Sequence, residues 1–292
     1  MIFTCGGERT AAHDMVSSLT FSIITPTLNA AATIGEVLHS VSVQSYKRIE
    51  HIIVDGGSAD STSEIVSKYS SRLRHIRFLQ EKDKGLYDAL NKGIVASSGD
   101  YLLFLGSDDV FHDQEVLSDL VVRRVFDTNK VVYGNVLVVG NTGWAKDGDI
   151  YDGPFSKEKL MRKNICHQAI FYPRKVFSRL GFYNIRYVIN ADWDMNLRCW
   201  AEEGFSYVDR IIAVFNAEGC STKAVDEAFK NDYLKQLKLY FNLTPEELIR
   251  LGKESAWGDL NSNVQIPPAR IAMELARKIA RFPARFIKNA LK

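Results

Sequence analysis

Cysteine, long apolar runs and excess charge are all scarce in this chain of 292 residues. Its four cysteines, Cys5, Cys166, Cys199 and Cys220, form no C-x-x-C pair and are too sparse for a disulfide framework, which points to a reducing, intracellular setting. No apolar segment approaches the roughly 20 residues needed to span a bilayer. The first residues carry Glu8, Arg9, His13 and Asp14 where a signal peptide needs an apolar stretch, so residues 1–20 read as a loose arm, with Met15 a second candidate start. Lys and Arg number 37 against 35 Asp and Glu, and a net charge of +2 gives no reason to expect nucleic acid as a partner. Internal repeats and low-complexity segments are absent too. What is present, 46% hydrophobic and 25% charged residues, is an ordinary globular composition, enough for one large domain or two halves of one fold.

From Phe21 the chain alternates short apolar runs with helical stretches: FSIIT, a helix near Thr33 to Gln44, EHIIV, a helix near Ser61 to Tyr69, HIRFL, a helix near Leu86 to Ala96, and YLLFL. Strands joined through helices imply a mixed, mostly parallel sheet flanked by helices, an α/β class whose ligands collect beyond the carboxyl ends of the strands. Polar residues fall at those ends: Thr27 and Asn29, then Asp55 to Asp60, then Asp83 to Gly85, then Ser107 to Asp109. Turn formation explains Asp, Gly and Ser in any one of these loops. Agreement among successive loops points to a ligand rim.

The second half is less regular, with VVYGNVLVV, HQAIFY, a helix signal at PRKVFSRLG, NADWDMNLR and FSYVDRIIAVF. A helical region follows from about Thr222, with Thr244 before Pro245 reading as a capped helix start. In FLGSDD, a run built for burial ends on adjacent carboxylates. Such a pair is best tolerated beside a divalent cation such as Mg²⁺ or Mn²⁺, although a helix cap or plain Asp turn is an alternative reading.

The motifs SIITPTLN, IIVDGGSADST, EKDKGLYDALNKGI and SSGDYLLFLGSDD, taken in order, resemble the family 2 glycosyltransferases of the GT-A fold over about Phe21 to Thr222, and within them bacterial enzymes of the colanic acid and O-antigen type. The resemblance implies an inverting transfer from a nucleotide-diphosphate sugar, a UDP-sugar by first expectation. Thr27 and Asp55 match nucleobase-gripping positions, Asp83 and Asp88 the ribose and diphosphate region, and Ser107 and Asp108 the donor site. The family's metal motif is D-x-D. Here it reads Gly106, Ser107, Asp108, so the resemblance gives Mn²⁺ or Mg²⁺ to Asp108, with Asp109 supporting it.

In NADWDMNLR the resemblance places the catalytic base at Asp192, with Ala191 where the family carries a second acid; an N-cap role is the competing reading. His167 and Gln168 resemble an acceptor-side pair, and Trp193 carries both a sugar-stacking and a core-packing reading. The rivals to transfer are a sugar nucleotidyltransferase and an inactive nucleotide-sugar binding module.

The expected organisation is an arm over residues 1–20, a nucleotide-sugar half over 21–125, an acceptor half over 126–222 and a helical region over 223–292. The segment from Pro267 to Lys292 is basic and amphipathic, which suits either the surface of an anionic membrane or packing on the domain or a second subunit. The expected partners are a nucleotide-sugar donor and a saccharide or lipid-linked acceptor. The expected setting is the cytoplasm, with the inner face of its membrane as a contact surface and homo-oligomerisation left open.

Overall fold

The computed structural model describes residues 19–142, 145–217 and 225–255. The arm up to residue 18 and the basic tail from Pro267 lie outside the described residues. The first half runs β1 (Phe21–Thr27), α1 (Ile34–Ser42), β2 (Ile49–Asp55), α2 (Thr62–Ser70), β3 (Ile76–Gln80), α3 (Leu86–Ala96) and β4 (Tyr101–Phe104). These follow the apolar runs and helical stretches of the sequence to within a few residues. The second half contains β5 (Val110–Phe111), α4 (Val116–Val122), β6 (Val131–Val139), β7 (Ile150–Tyr151), α5 (Lys157–Leu160) and a 3-10 turn at His167–Ala169. It continues with β8 (Ile170–Pro173), α6 (Lys175–Leu180), α7 (Ala191–Glu202) and β9 (Phe205–Asn216).

All of these strands join one 9-stranded sheet in the order β3-β2-β1-β4-β8-β6-β9-β5, with β7 added beside β6. The long ladders, β1 with β2 and β6 with β9, are parallel, whereas the contacts of β8 with β4 and β6 are short and antiparallel. The sheet is therefore mixed and mostly parallel, as the sequence pattern suggests. Every residue of β1 is buried, because helices cover both faces of a central parallel strand. Phe21 and Ile23 enter a cluster with Val41 of α1 and Leu117 and Leu120 of α4. Phe21, Tyr101, Phe126 and Phe171 pack edge-on or tilted, with ring centroids of Tyr101 and Phe126 4.7 Å apart. Burying one such ring stabilises by roughly 1.5–3 kcal/mol, so this end of the sheet is a rigid base for the loops at the other.

Two compact units divide the chain, Met1–Phe229 and Lys230–Lys292. The first contains the whole sheet. Helix α8 (Glu227–Phe241) leads into the second, where α9 (Pro245–Lys253) begins with the expected cap. Glu247 N–H donates to Thr244 Oγ1 at 3.3 Å and Thr244 N–H donates to Glu247 Oε2 at 2.8 Å, with Pro245 in the first turn where its missing N–H costs nothing.

Candidate active site

Parallel register brings Thr27 beside Asp55, and Asp55 beside Gln80, so the ends of β1, β2 and β3 form a continuous rim. Asp55 is fully buried and its carboxylate turns into its own loop, accepting from Gly57 N–H at 3.3 Å and Ser58 N–H at 3.1 Å as well as from the Ser58 hydroxyl. This is an Asx turn that also fixes the rim. Thr27 differs: among the described residues its buried Oγ1 has no hydrogen-bond partner, so the rim keeps an unmet hydrogen-bonding group there.

Asp83 faces the same rim. Its Oδ1 accepts from Gly85 N–H at 2.9 Å, and its Oδ2 lies so close to Gly56 that a Cβ there would sit 2.3 Å away. A side chain at position 56 would therefore push the Asp83 carboxylate from its present position. Asp88 turns instead to the start of α3, accepting from Lys84 N–H at 3.0 Å and pairing with Lys92 at 3.6 Å. Its placement is that of a helix-start acid on a solvated face.

The FLGSDD loop explains its own glycine. A Cβ at Gly106 would lie 2.7 Å from Asp109 Oδ2 and 3.1 Å from Asp108 Oδ1, so the space of the absent first acid is occupied by the two that follow. Asp109 is buried, and three donors surround it: Gly106 N–H at 3.0 Å, Gln168 Nε2 at 2.9 Å and Asn216 N–H at 3.3 Å. Burial, and then the charge of Asp108, push its pKa up to about 6. Asp108 is half-buried; burial raises its pKa and His167 works against the rise. Among the described residues no side chain donates to Asp108. Neighbouring Ser107 is partly exposed on the same turn.

Across the cleft, α7 delivers Asp192 in its first turn. The cap position belongs to Asn190, which makes no side-chain cap, and the loop before it is pinned by Asp226, whose Oδ2 accepts from Ile189 N–H at 2.9 Å and Asn190 N–H at 3.1 Å. Asp192 Oδ1 accepts from Trp193 N–H at 2.8 Å and lies 3.0 Å from the Tyr87 hydroxyl, which donates to Ile189 O, and Oδ2 accepts from Asn164 Nδ2 at 2.9 Å. His167 Nδ1 stands 3.4 Å from the same Oδ2. Burial resists charging of His167, but the Asp192 hydrogen bond and the charges of Asp192, Asp109 and Asp108 outweigh it and raise its pKa above the ordinary histidine value. His167 and Gln168 are thus consecutive residues of one turn, the first on Asp192 and the second on Asp109.

Trp193 does not present its face to the cleft. The ring is buried against Phe229 with centroids 5.6 Å apart, and its Nε1 donates to Leu160 O at 2.7 Å, so of its two sequence readings the structure takes core packing. Asp194 pairs with Arg198 at 3.0 Å, and Arg198 donates to Leu180 O and Phe182 O, which ties α7 to the end of α6. Tyr87, Asn164 and Asp226 were not legible as site residues. They lie 28 or more residues from Asp192 in the chain, and although Tyr87 falls within EKDKGLYDALNKGI, nothing in that motif marks it as a partner of Asp192.

A scan against family models matches residues 22–179 to Glycosyl transferase family 2. This chain belongs to that family. A Mycobacterium tuberculosis relative, a PGL/p-HBAD biosynthesis glycosyltransferase, is 37% identical over 216 residues, covering 72% of this chain and 82% of the relative. Among solved structures, Staphylococcus aureus TarS 1–349 superposes with a TM-score of 0.59 at 18% identity, covering 89% of this chain and 71% of that one. The mannosyltransferase PcManGT from Pyrobaculum calidifontis, solved with GDP-Man and Mn²⁺, gives 0.54 at 16% identity, covering 94% and 81%. The fold is that of the GT-A glycosyltransferases, and the protein is a glycosyltransferase.

A divalent cation fits this family 2 site only in part. Among the described residues no three His, Cys, Asp or Glu side chains converge on one point. Asp108, half-buried and, among the described residues, without a side-chain donor, suits a single Mg²⁺ or Mn²⁺ contact, whereas Asp109 already accepts three protein hydrogen bonds on its two oxygens. Of the residues present, Asp108 is the one that would make a contact to such a cation.

Proposed function

We propose that this glycosyltransferase moves a sugar, with inversion, from a nucleoside diphosphate donor of the UDP class to a hydroxyl of a polysaccharide or lipid-linked precursor, with Asp192 as general base. The observation that carries this reading is the single turn His167–Gln168, which holds Asp192 on one side of the cleft and the acid pair Asp108–Asp109 on the other. Solved relatives of the fold in complex with UDP and with UDP-GlcNAc support the donor class.

Thr27, Asp55, Asp83 and Ser107 line the donor side, and Asp108 is the residue that would hold Mn²⁺ or Mg²⁺. When bound, the cation supplies charge neutralisation for the departing diphosphate. Asp109, kept in place by Gln168, Gly106 and Asn216, fixes the loop that aims Asp108. Asp192 accepts the proton of the acceptor hydroxyl as that oxygen attacks the anomeric carbon from the opposite face, and a single displacement inverts the stereochemistry. A nucleotidyltransferase would need a basic Gly-rich loop after β1, where this chain has PTLNAAAT.

No helix among the described residues is long and apolar enough to cross a membrane. We infer a cytoplasmic setting, and the basic, amphipathic composition of residues 267–292 favours contact with an anionic membrane surface. Donor turnover by wild type, Asp108→Ala and Asp192→Ala protein tests the reading. Loss of turnover in both variants supports it; a wild type that binds UDP-sugars without turning them over, and is unmoved by either change, reduces the protein to a binding module.

A further inference from the structure

The base carboxylate sits at the end of a buried hydrogen-bond chain whose polarity can be read from one carbonyl. Asn196 Nδ2 lies 3.4 Å from Ile165 O, an atom that can only accept, so the amide nitrogen of Asn196 faces that way. Its Oδ1 then accepts from the Tyr172 hydroxyl, at 2.5 Å. The same Nδ2 donates to Asn164 Oδ1 at 2.8 Å, which leaves Asn164 Nδ2 to donate to Asp192 Oδ2 at 2.9 Å. Tyr172 and Asn196 are fully buried. Each link is forced by the one before it, so the chain presents Asp192 with a donor and never an acceptor.

We propose that Asn164, oriented by Asn196 and Tyr172, is the positioning residue that holds Asp192 in its productive rotamer. This deepens the assignment of Asp192 as the base and rests on it. The family pattern has an acid immediately before the base, and here Ala191 stands there, fully buried. A neutral amide from a different segment does the holding, fixing one oxygen of Asp192 without adding a charge beside it. The second oxygen accepts from Trp193 N–H, so the carboxylate plane is set from both sides.

The isosteric change Asn164→Asp tests this, because it keeps volume and the bond from Asn196 but turns an oxygen toward Asp192. The other titratable groups facing Asp192 are Tyr87 on α3, His167 and Cys166 on the turn before β8, Tyr151 on β7, Tyr172 on β8 and Tyr183 in the loop before α7, and all of these stay unchanged.

Hydrolysis of UDP-GlcNAc or GDP-mannose, whichever the wild type turns over faster with Mn²⁺, is followed from pH 5 to 9. Asn164→Asp is expected to lower kcat at neutral pH by about tenfold or more with donor KM unchanged, and to move the acid limb of the kcat profile upward by about one pH unit, because paired carboxylates retain a proton. Tyr172→Phe, which removes one oxygen and cannot upset the fold by volume, is expected to give a smaller loss in kcat alone. Wild-type kcat and pH profile in both variants, alongside an inactive Asp192→Asn, would overturn the positioning role and leave the base in place. Full turnover by Asp192→Asn would overturn the base assignment and the proposal with it.

Discussion

The donor side and the acceptor side of this cleft meet where β4 pairs with β8, yet they are built by different rules. On the donor side β1, β2 and β3 end in register, and the residues that matter stand at a strand end or a few positions past it. On the acceptor side, the groups around Asp192 come from α3, from a loop, from a 3-10 turn and from the strand β8, at sequence separations from 20 (Tyr172) to 105 (Tyr87) residues. Local geometry places the first set; tertiary hydrogen bonding places the second. The lesson is that a rim can tolerate change in one loop, whereas a network of buried polar groups depends on every member.

The largest effect expected is the separation of the two sides by their acids. Asp192→Asn should cost about 10²–10⁴ in kcat while nucleotide binding stays as in wild type, and Asp108→Ala should remove the Mn²⁺ dependence of nucleotide binding. Steady-state kinetics with calorimetric titration reads both, and equal loss of nucleotide binding in the two variants would erase the distinction between the sides.

Restoring the family acid by Gly106→Asp should fail as a repair. Its Cβ meets the Asp108 and Asp109 carboxylates, and the crowding should destabilise the protein by about 1–3 kcal/mol in denaturant melts without tightening Mn²⁺ binding. Gln168→Leu should cost a similar 1–3 kcal/mol, because it strips a donor from the buried Asp109. A neutral result for Gln168→Leu would mean that the turn does not join the two sides.

A third test concerns acid. His51 in β2 is fully buried with its Nε2 3.0 Å from Thr25 Oγ1, and burial, then the charge of His75, drive its pKa down to about 3. As pH falls below the ordinary histidine value, near 6.5, the unfolded chain takes up this proton first. The stability that neutral His51 contributes is therefore complete above about pH 6.5 and is lost progressively toward about pH 3. His51→Gln should flatten the fall of the urea midpoint across that window. The smallest effect expected is Thr27→Val, which removes an unpartnered buried hydroxyl: thermal stability should hold or rise slightly, and nucleotide affinity should fall by about tenfold or less.

How far the sequence could be read follows from the same contrast. The strand ends were legible because turn residues after an apolar run are a local signal, and Asp55, Asp83 and Asp108 all fall where that signal puts them. The alternation of strands and helices likewise foretold the parallel half. Asn164, Asn196 and Tyr172 were not legible, since an Asn two residues before Cys166 has no period, cap or spacing to mark it, and its meaning arises only when α7 packs behind β8. Trp193 was ambiguous because an aromatic beside a base suits a sugar face and a core equally until the helix orientation is known. Gly106 read as a missing acid; in the fold it is the space that the next two acids occupy.

The most direct test of the account is a thermal-shift matrix of wild type, Asp108→Ala and Asp192→Ala with UDP or GDP, each with and without Mn²⁺. The account predicts a metal-dependent rise in Tm for wild type and Asp192→Ala and none for Asp108→Ala. A wild type that shows no metal-dependent rise with either nucleotide, or an Asp108→Ala variant that responds like wild type, would contradict it.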